Sequence, residues 1–153
     1  VAFMDKIWKD RIFLNALREE LAPLLVSKHK DIIYLTDKDI TKGRRLLFTL
    51  QTINNILPAG VKCKVGSGKR TLGINAKIPN SSATSQHPFW EALDLHFYDA
   101  QGRILDKPRL RAFYELIIYA LGDEIQQIIL YSTFIHIGLA TSRRKVSLLR
   151  KVK

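Results

Sequence analysis

The stretch PAGVKCKVGSG, Pro58 to Gly68, separates two kinds of sequence. Before it, apolar residues recur at helical spacing. Within it, Val61, Cys63 and Val65 alternate with lysines, as in a strand with one buried face. Pro58, Ala59 and Gly60 stop a helix and the alternation begins a sheet, so the fold class is read here.

Towards the N-terminus, residues 3 to 22 predict a helix with Phe3, Ile7, Ile12, Leu14, Leu17 and Leu21 on its apolar face and Pro23 at its end. The charged linker SKHKD and the short apolar run DIIYL follow. Thr36 or Asp37 then caps a second helix reaching about Leu57, faced by Leu46, Leu47, Leu50, Ile53 and Ile56 or Leu57.

Towards the C-terminus, residues 66 to 86 are rich in Gly, Ser, Asn and Thr. They predict a long ordered loop, a kind of segment that often carries function. Ala92 to Phe97 reads as a strand closed by the turn DAQGR, and Asp106 with Pro108 starts a helix running to Leu121. Gln127 to Tyr131 and Phe134 to Leu139 read as two short strands, and the tail from Thr141 as an edge strand or a frayed end. The expectation is α+β: helices packed on a small, mainly antiparallel sheet. One domain is expected over residues 1–153, with an N-terminal helical extension (1–35), a core (36–140) and a basic tail (141–153).

With 153 residues, 46% of them apolar, the chain can bury a real core. No apolar run reaches the roughly 18 residues needed to span a bilayer. The opening VAFMDKIWKDRIFLNALREEL is charged throughout and lacks the apolar region of a secretory signal. It begins at Val1 and not Met, which leaves a preceding segment open. The single cysteine, Cys63, excludes an internal disulfide and a thiolate metal cluster, and reads as strand core.

A formal charge of +11 attracts polyanions: nucleic acid, anionic lipid or the anionic polymers of a bacterial envelope. The cations cluster at Gly43 to Arg45, at Arg109 to Arg111 and in the tail, without interleaved aromatics, so a single-strand nucleic-acid groove is not favoured. The sequence says nothing of oligomeric state.

Of the four histidines, His29 falls in the charged linker and reads as surface. His87 ends the polar loop, and His96 shares the strand face of Asp94. His136 points away from its neighbours Ile135 and Ile137. Two imidazoles and one carboxylate, with a water in the fourth position, are a ligand set known from catalytic zinc centres. Each histidine is equally at home as an ordinary loop or strand residue, and spacing alone leaves both readings open.

Three motifs add to this. SGKRTLGIN (Ser67 to Asn75), SQHPFWEALD (Ser85 to Asp94) and FIHIG (Phe134 to Gly138) follow one another within about residues 40 to 140. Their order and spacing resemble the zinc D-alanyl-D-alanine carboxypeptidase and peptidoglycan endopeptidase family. That family includes phage endolysins and shares its metal-site fold with hedgehog signalling domains. The resemblance implies Zn²⁺ on His87, Asp94 and His136, with Arg70 binding a substrate carboxylate or carbonyl. It implies that Ser85 supports the loop, and that Asn75 and Thr133 lie in the next layer or beside the substrate. It further implies a metallopeptidase acting on peptidoglycan stem peptides. Such a protein would be made in the cytoplasm without a signal peptide and would act at the bacterial cell wall in a phage lysis or virion setting, its charge favouring an anionic wall.

Three positions depart from the family pattern. Trp90 stands where the family usually has Gly, three residues after the first histidine. Thr133 stands where many members carry a catalytic acid three residues before the last histidine, and Gly138 where others carry one two residues after it. That carboxylate acts as general base on the metal-bound water and then as general acid to the leaving amine. Glu91, folded inwards, or His96, on the face of Asp94, are the expected substitutes. The alternatives are an inactive zinc-binding relative with a structural or binding role, and a basic nucleic-acid-binding domain suggested by charge alone. GSGKRT lacks the first glycine of a phosphate-binding loop and is set aside.

Overall fold

The alternation after Pro58 does open a sheet. The computed structural model describes residues 2–26, 33–78, 85–141 and 148–153. Helix α1 (Ala2–Glu20) is followed by a 3₁₀ turn (Ala22–Leu24), a second 3₁₀ turn (Asp37–Asp39) and helix α2 (Ile40–Ile56). Strand β1 (Lys62–Ser67), helix α3 (Leu72–Lys77), a third 3₁₀ turn (His87–Phe89) and strand β2 (Ala92–Tyr98) come next. Helix α4 (Lys107–Leu121) and strands β3 (Ile125–Leu130), β4 (Ile135–Leu139) and β5 (Leu149–Val152) complete the order.

The five strands form one sheet in the order β1-β2-β4-β3-β5. Three of its pairings are antiparallel, and β5 lies parallel to β3. The fold is therefore α+β with a mixed sheet. The tail forms an edge strand, while Ser142 to Ser147 lie outside the described residues.

One face of the sheet is packed and one is open. Cys63, Val65, Leu93, Leu95, Phe97, Ile135, Ile137, Ile128 and Leu130 are buried and join a single core cluster with α2 and α4. Phe97 stacks on Phe113 of α4 at 5.5 Å between ring centroids. Of the alternate positions, which make the other face, Asp94, His96 and His136 are only partly buried.

The N-terminal segment is more than an appended helix. Leu17, Leu21 and Leu24 enter the same core, whereas Ile12 is exposed and Leu14 half-buried. Phe3 and Ile7 lie outside the residues whose side chains are described. After Leu24 the chain pairs with the segment following β1: Gly68 donates its N–H to Val26 O and Lys69 to Leu24 O. A Cβ at Gly68 would meet Leu24 O at 2.2 Å, so only glycine permits this approach. In α2, Leu46, Leu50 and Ile53 are buried, and Thr36 and Asp39 close the helix start by hydrogen bonds from Thr36 N and Oγ1 to Asp39 Oδ2.

Candidate metal centre

The polar segment after β1 is partly helical. Thr71 caps α3 by accepting from Ile74 N, and α3 turns the buried Asn75 towards Arg70. Asn75 Oδ1 accepts from Arg70 Nη1 at 3.2 Å and Ser67 Oγ from Arg70 Nη2 at 3.3 Å. The guanidinium is thereby held in place at the end of β1, 9% exposed.

The segment 85–91 lies across one end of the open face. Gln86 donates from Nε2 to Leu139 O at 2.7 Å, Glu91 N donates to Gln86 O, and Leu139 N donates to Glu91 O. Ser85 Oγ accepts from His87 N at 3.4 Å. Lys69 Nζ donates to Pro88 O, and Arg70 N to His87 O. Trp90, at the end of the 3₁₀ turn, has φ 59° and ψ 32°, the left-handed conformation that favours glycine. Its indole N–H donates to Asp39 Oδ1 at 2.8 Å, and Lys69 Nζ lies 5.3 Å from its ring centre. The tryptophan thereby ties the turn to the start of α2.

Three expected ligands converge here. Asp94 and His136 are direct partners in the β2–β4 ladder, and His136 Nδ1 lies 2.7 Å from Asp94 Oδ1. His87 Nε2 lies 3.4 Å from Asp94 Oδ2, and His87 Nδ1 is engaged with Gly68 O at 2.8 Å. One donor atom from each of the three residues lies within 4.8 Å of the others, so His87, Asp94 and His136 could hold a metal ion. Arg70 Nη2 is 3.9 Å from Asp94 Oδ2. Burial alone would raise the Asp94 carboxyl. Hydrogen bonds and charge from His136 and His87 overcome it and hold the group below the usual carboxylate range. The carbonyl on His87 Nδ1 fixes which ring nitrogen faces Asp94, as partners of metal-binding histidines commonly do.

The other expected residues are placed differently. Glu91 faces away from the three ligands: it is buried, its carboxylate accepts from Thr141 Oγ1 at 3.3 Å, and it lines a cavity with Thr41, Lys42, Arg45 and Trp90. It is neither a solvated charge nor a substitute base at the centre. Its place one residue before β2 gives it the side of Leu93 and Leu95, opposite to Asp94. His96 does lie on the face of Asp94, with Nδ1 3.1 Å from Thr133 O and its ring 5.5 Å from Phe134. Thr133 is exposed in the β3–β4 turn and contributes its carbonyl to His96. Gly138 is covered by Gln86. His29 lies outside the described residues.

Sequence reasoning passed over Gln86 and Tyr131. Gln86 carries no motif of its own beyond adjoining His87. Tyr131 stacks on Phe134 at 4.4 Å on the open face, and its hydroxyl is shifted upwards by burial and by the Asp94 charge. No protein-family model, curated protein or solved structure matches the chain. Among the described residues no helix is long and apolar enough to cross a membrane.

Proposed function

We propose that the protein is a zinc-dependent, peptidase-like domain that hydrolyses peptide bonds in peptidoglycan stem peptides, as a DD-carboxypeptidase or endopeptidase, on a hedgehog/DD-peptidase-like fold. The observation that carries this reading is the convergence of His87, Asp94 and His136 beside the held guanidinium of Arg70. The 3.4 Å between His87 Nε2 and Asp94 Oδ2 is close to the ~3.3 Å separating two ligands on a tetrahedral zinc with bonds of about 2.0–2.1 Å. The 2.7 Å between His136 and Asp94 is a hydrogen bond, and its proton would have to be released for both residues to hold an ion.

When bound, zinc polarises the scissile carbonyl and brings its water towards neutral ionisation. The chain's own residues supply the rest. Gly68 O keeps the His87 ring oriented. Asn75 and Ser67 hold Arg70, whose planar donors orient a substrate carboxylate or carbonyl. Position 133 offers no proton-exchanging group, and on the open face His96 and the Tyr131 hydroxyl are of types suited to that task.

A second reading, a zinc-binding relative without appreciable hydrolysis, draws on one observation. Neither position 133 nor position 138 carries a carboxylate, and Gln86 fills the space beside the latter. Metal analysis is expected to give about one zinc per chain, lost in His87→Ala. Digestion of purified cell walls should release new amino termini, or free D-alanine, and stop in His136→Ala. Stable metal-free protein indifferent to chelators would overturn both readings; zinc without digestion would leave the second.

A further inference from the structure

Beside the three ligands, the open face carries a row of aromatic and basic side chains of which the peptidase reading draws only on His96 and Tyr131. Lys64 of β1 is the register partner of His96 on β2. The His96 ring lies 5.5 Å from Phe134, and Phe134 stacks on Tyr131 at 4.4 Å. Lys153 Nζ lies 5.6 Å from the Tyr131 ring centre, its backbone held by Lys153 N donating to Leu130 O. The row therefore crosses the whole sheet, from a lysine on β1 to a lysine just past β5.

The charge of this face is one-sided. Lys62 and Lys64 lie at one edge, with Lys64 Nζ 5.5 Å from the Tyr98 ring. Lys151, level with Ile129 and hence with His136, lies with Lys153 at the other edge. Strand alternation leaves Asp94 as the only carboxylate among the strand residues of this face, and it is engaged by both histidines. Arg150, the intervening cation of β5, turns to the helix side and pairs with Glu115.

We propose that this row is a docking surface for an acidic peptide chain lying across the sheet, its carboxylates at Lys64 and at Lys151 and Lys153 and its neutral middle beside His136. The span fits. Four strand spacings of about 4.8 Å give about 19 Å, which about six extended residues cover at about 3.4 Å each. The aromatic arrangement disfavours nucleic acid. Tyr131 and Phe134 stack on each other, with Lys153 near the first ring and His96 near the second, so the pair is engaged internally and is a poor platform for bases. The middle of the docked chain passes His87, Asp94 and His136, and in that respect the inference rests on the peptidase reading.

The test is binding of a fluorescent hexapeptide with two glutamates at each end of an alanine pair, followed by polarisation. Its lysine counterpart and a single-stranded oligonucleotide are the competitors, and zinc uptake is measured on the same preparations. The acidic peptide should bind at least tenfold more tightly than the basic one, weaken with salt, and lose affinity at least fivefold in Lys64→Glu and in Lys153→Glu. Lys6→Glu at an exposed position of α1, outside the row, should leave it unchanged. Equal binding by the Lys64 and Lys153 variants, with unchanged melting curves, would overturn the proposal. So would tighter binding of the oligonucleotide at the same residues. Failure of peptide binding with zinc uptake intact refutes the docking surface alone; peptide binding without zinc uptake refutes the metallopeptidase alone.

Discussion

Gln86 lies against Gly138 so closely that a Cβ at position 138 would come within 1.9 Å of Gln86 Oε1. Position 138 is thus closed to a side chain by the same residue that pins the His87 segment to Leu139 O. Thr133, in the β3–β4 turn, is exposed.

The two positions should respond oppositely to an introduced acid. Thr133→Glu is expected to fold normally and to raise wall-peptide hydrolysis by about a hundredfold to ten-thousandfold, the usual worth of a general base. Gly138→Asp should lose about 1–3 kcal/mol through overpacking, much of it restored by Gln86→Ala in the same chain. Denaturant unfolding and product release measure the two effects. An inert Thr133→Glu variant with zinc bound would mean that this turn does not face the reacting atoms.

Arg70 acts through a geometry that Lys cannot copy, since it spans Asn75 and Ser67 while facing Asp94. Arg70→Lys should keep zinc uptake yet reduce hydrolysis at least tenfold. Asn75→Leu removes an acceptor from a buried charged donor and should cost about 1.5–3 kcal/mol, or about 2–4 °C of melting temperature per kcal/mol for a chain of this size. Wild-type melting in Asn75→Leu would contradict the assigned hydrogen bond.

At Trp90 the order of two destabilised variants is informative. Both Trp90→Ala and Trp90→Gly lose the indole and its bond to Asp39, a loss of about 3–5 kcal/mol for a buried aromatic. Glycine should nonetheless be more stable than alanine by about 1 kcal/mol, because only alanine strains a left-handed backbone. The reverse order in thermal unfolding would exclude that conformation in solution.

The Cys63 thiol is pushed up to about 12, chiefly by burial. In the unfolded chain it ionises near pH 8.5, so folding holds a proton that the unfolded state releases. The resulting stability is fully present below pH ~8.5 and is lost as pH rises from there towards the folded value. Unfolding free energies should therefore fall over that alkaline window in wild type but less so in Cys63→Val. Alkylation at pH 8.5 should await unfolding.

Much of the fold was legible because periodicity and punctuation agree. Pro58 to Gly60, the Val61–Val65 alternation and the Asp106–Pro108 start mark real boundaries, and the alternation through Ala92–Phe97 puts His96 on the face of Asp94 as expected. Composition hid α3, since Gly, Ser and Asn spell a loop while Thr71 caps a single helical turn and a half. The burial of Glu91 was illegible for a different reason: alternation sets its side, but its enclosure depends on tertiary contacts of its segment with Leu139 and Thr141. The parallel partnership of β5 with β3 likewise depends on a pairing that no local pattern encodes.

Asp94 and His136 are neighbours across one ladder yet stand 42 residues apart along the chain, with α4 and β3 between them. Their meeting therefore closes a long loop, and it requires that α4 has already been traversed and that β4 has inserted between β2 and β3. An ion gripping both residues would act as a non-covalent clasp on that loop, drawing its benefit from the entropy of a chain no longer free to open. It would also act as a timekeeper. Until the last central strand is seated, half of the clasp is missing, so metal capture should mark the end of folding and not its beginning.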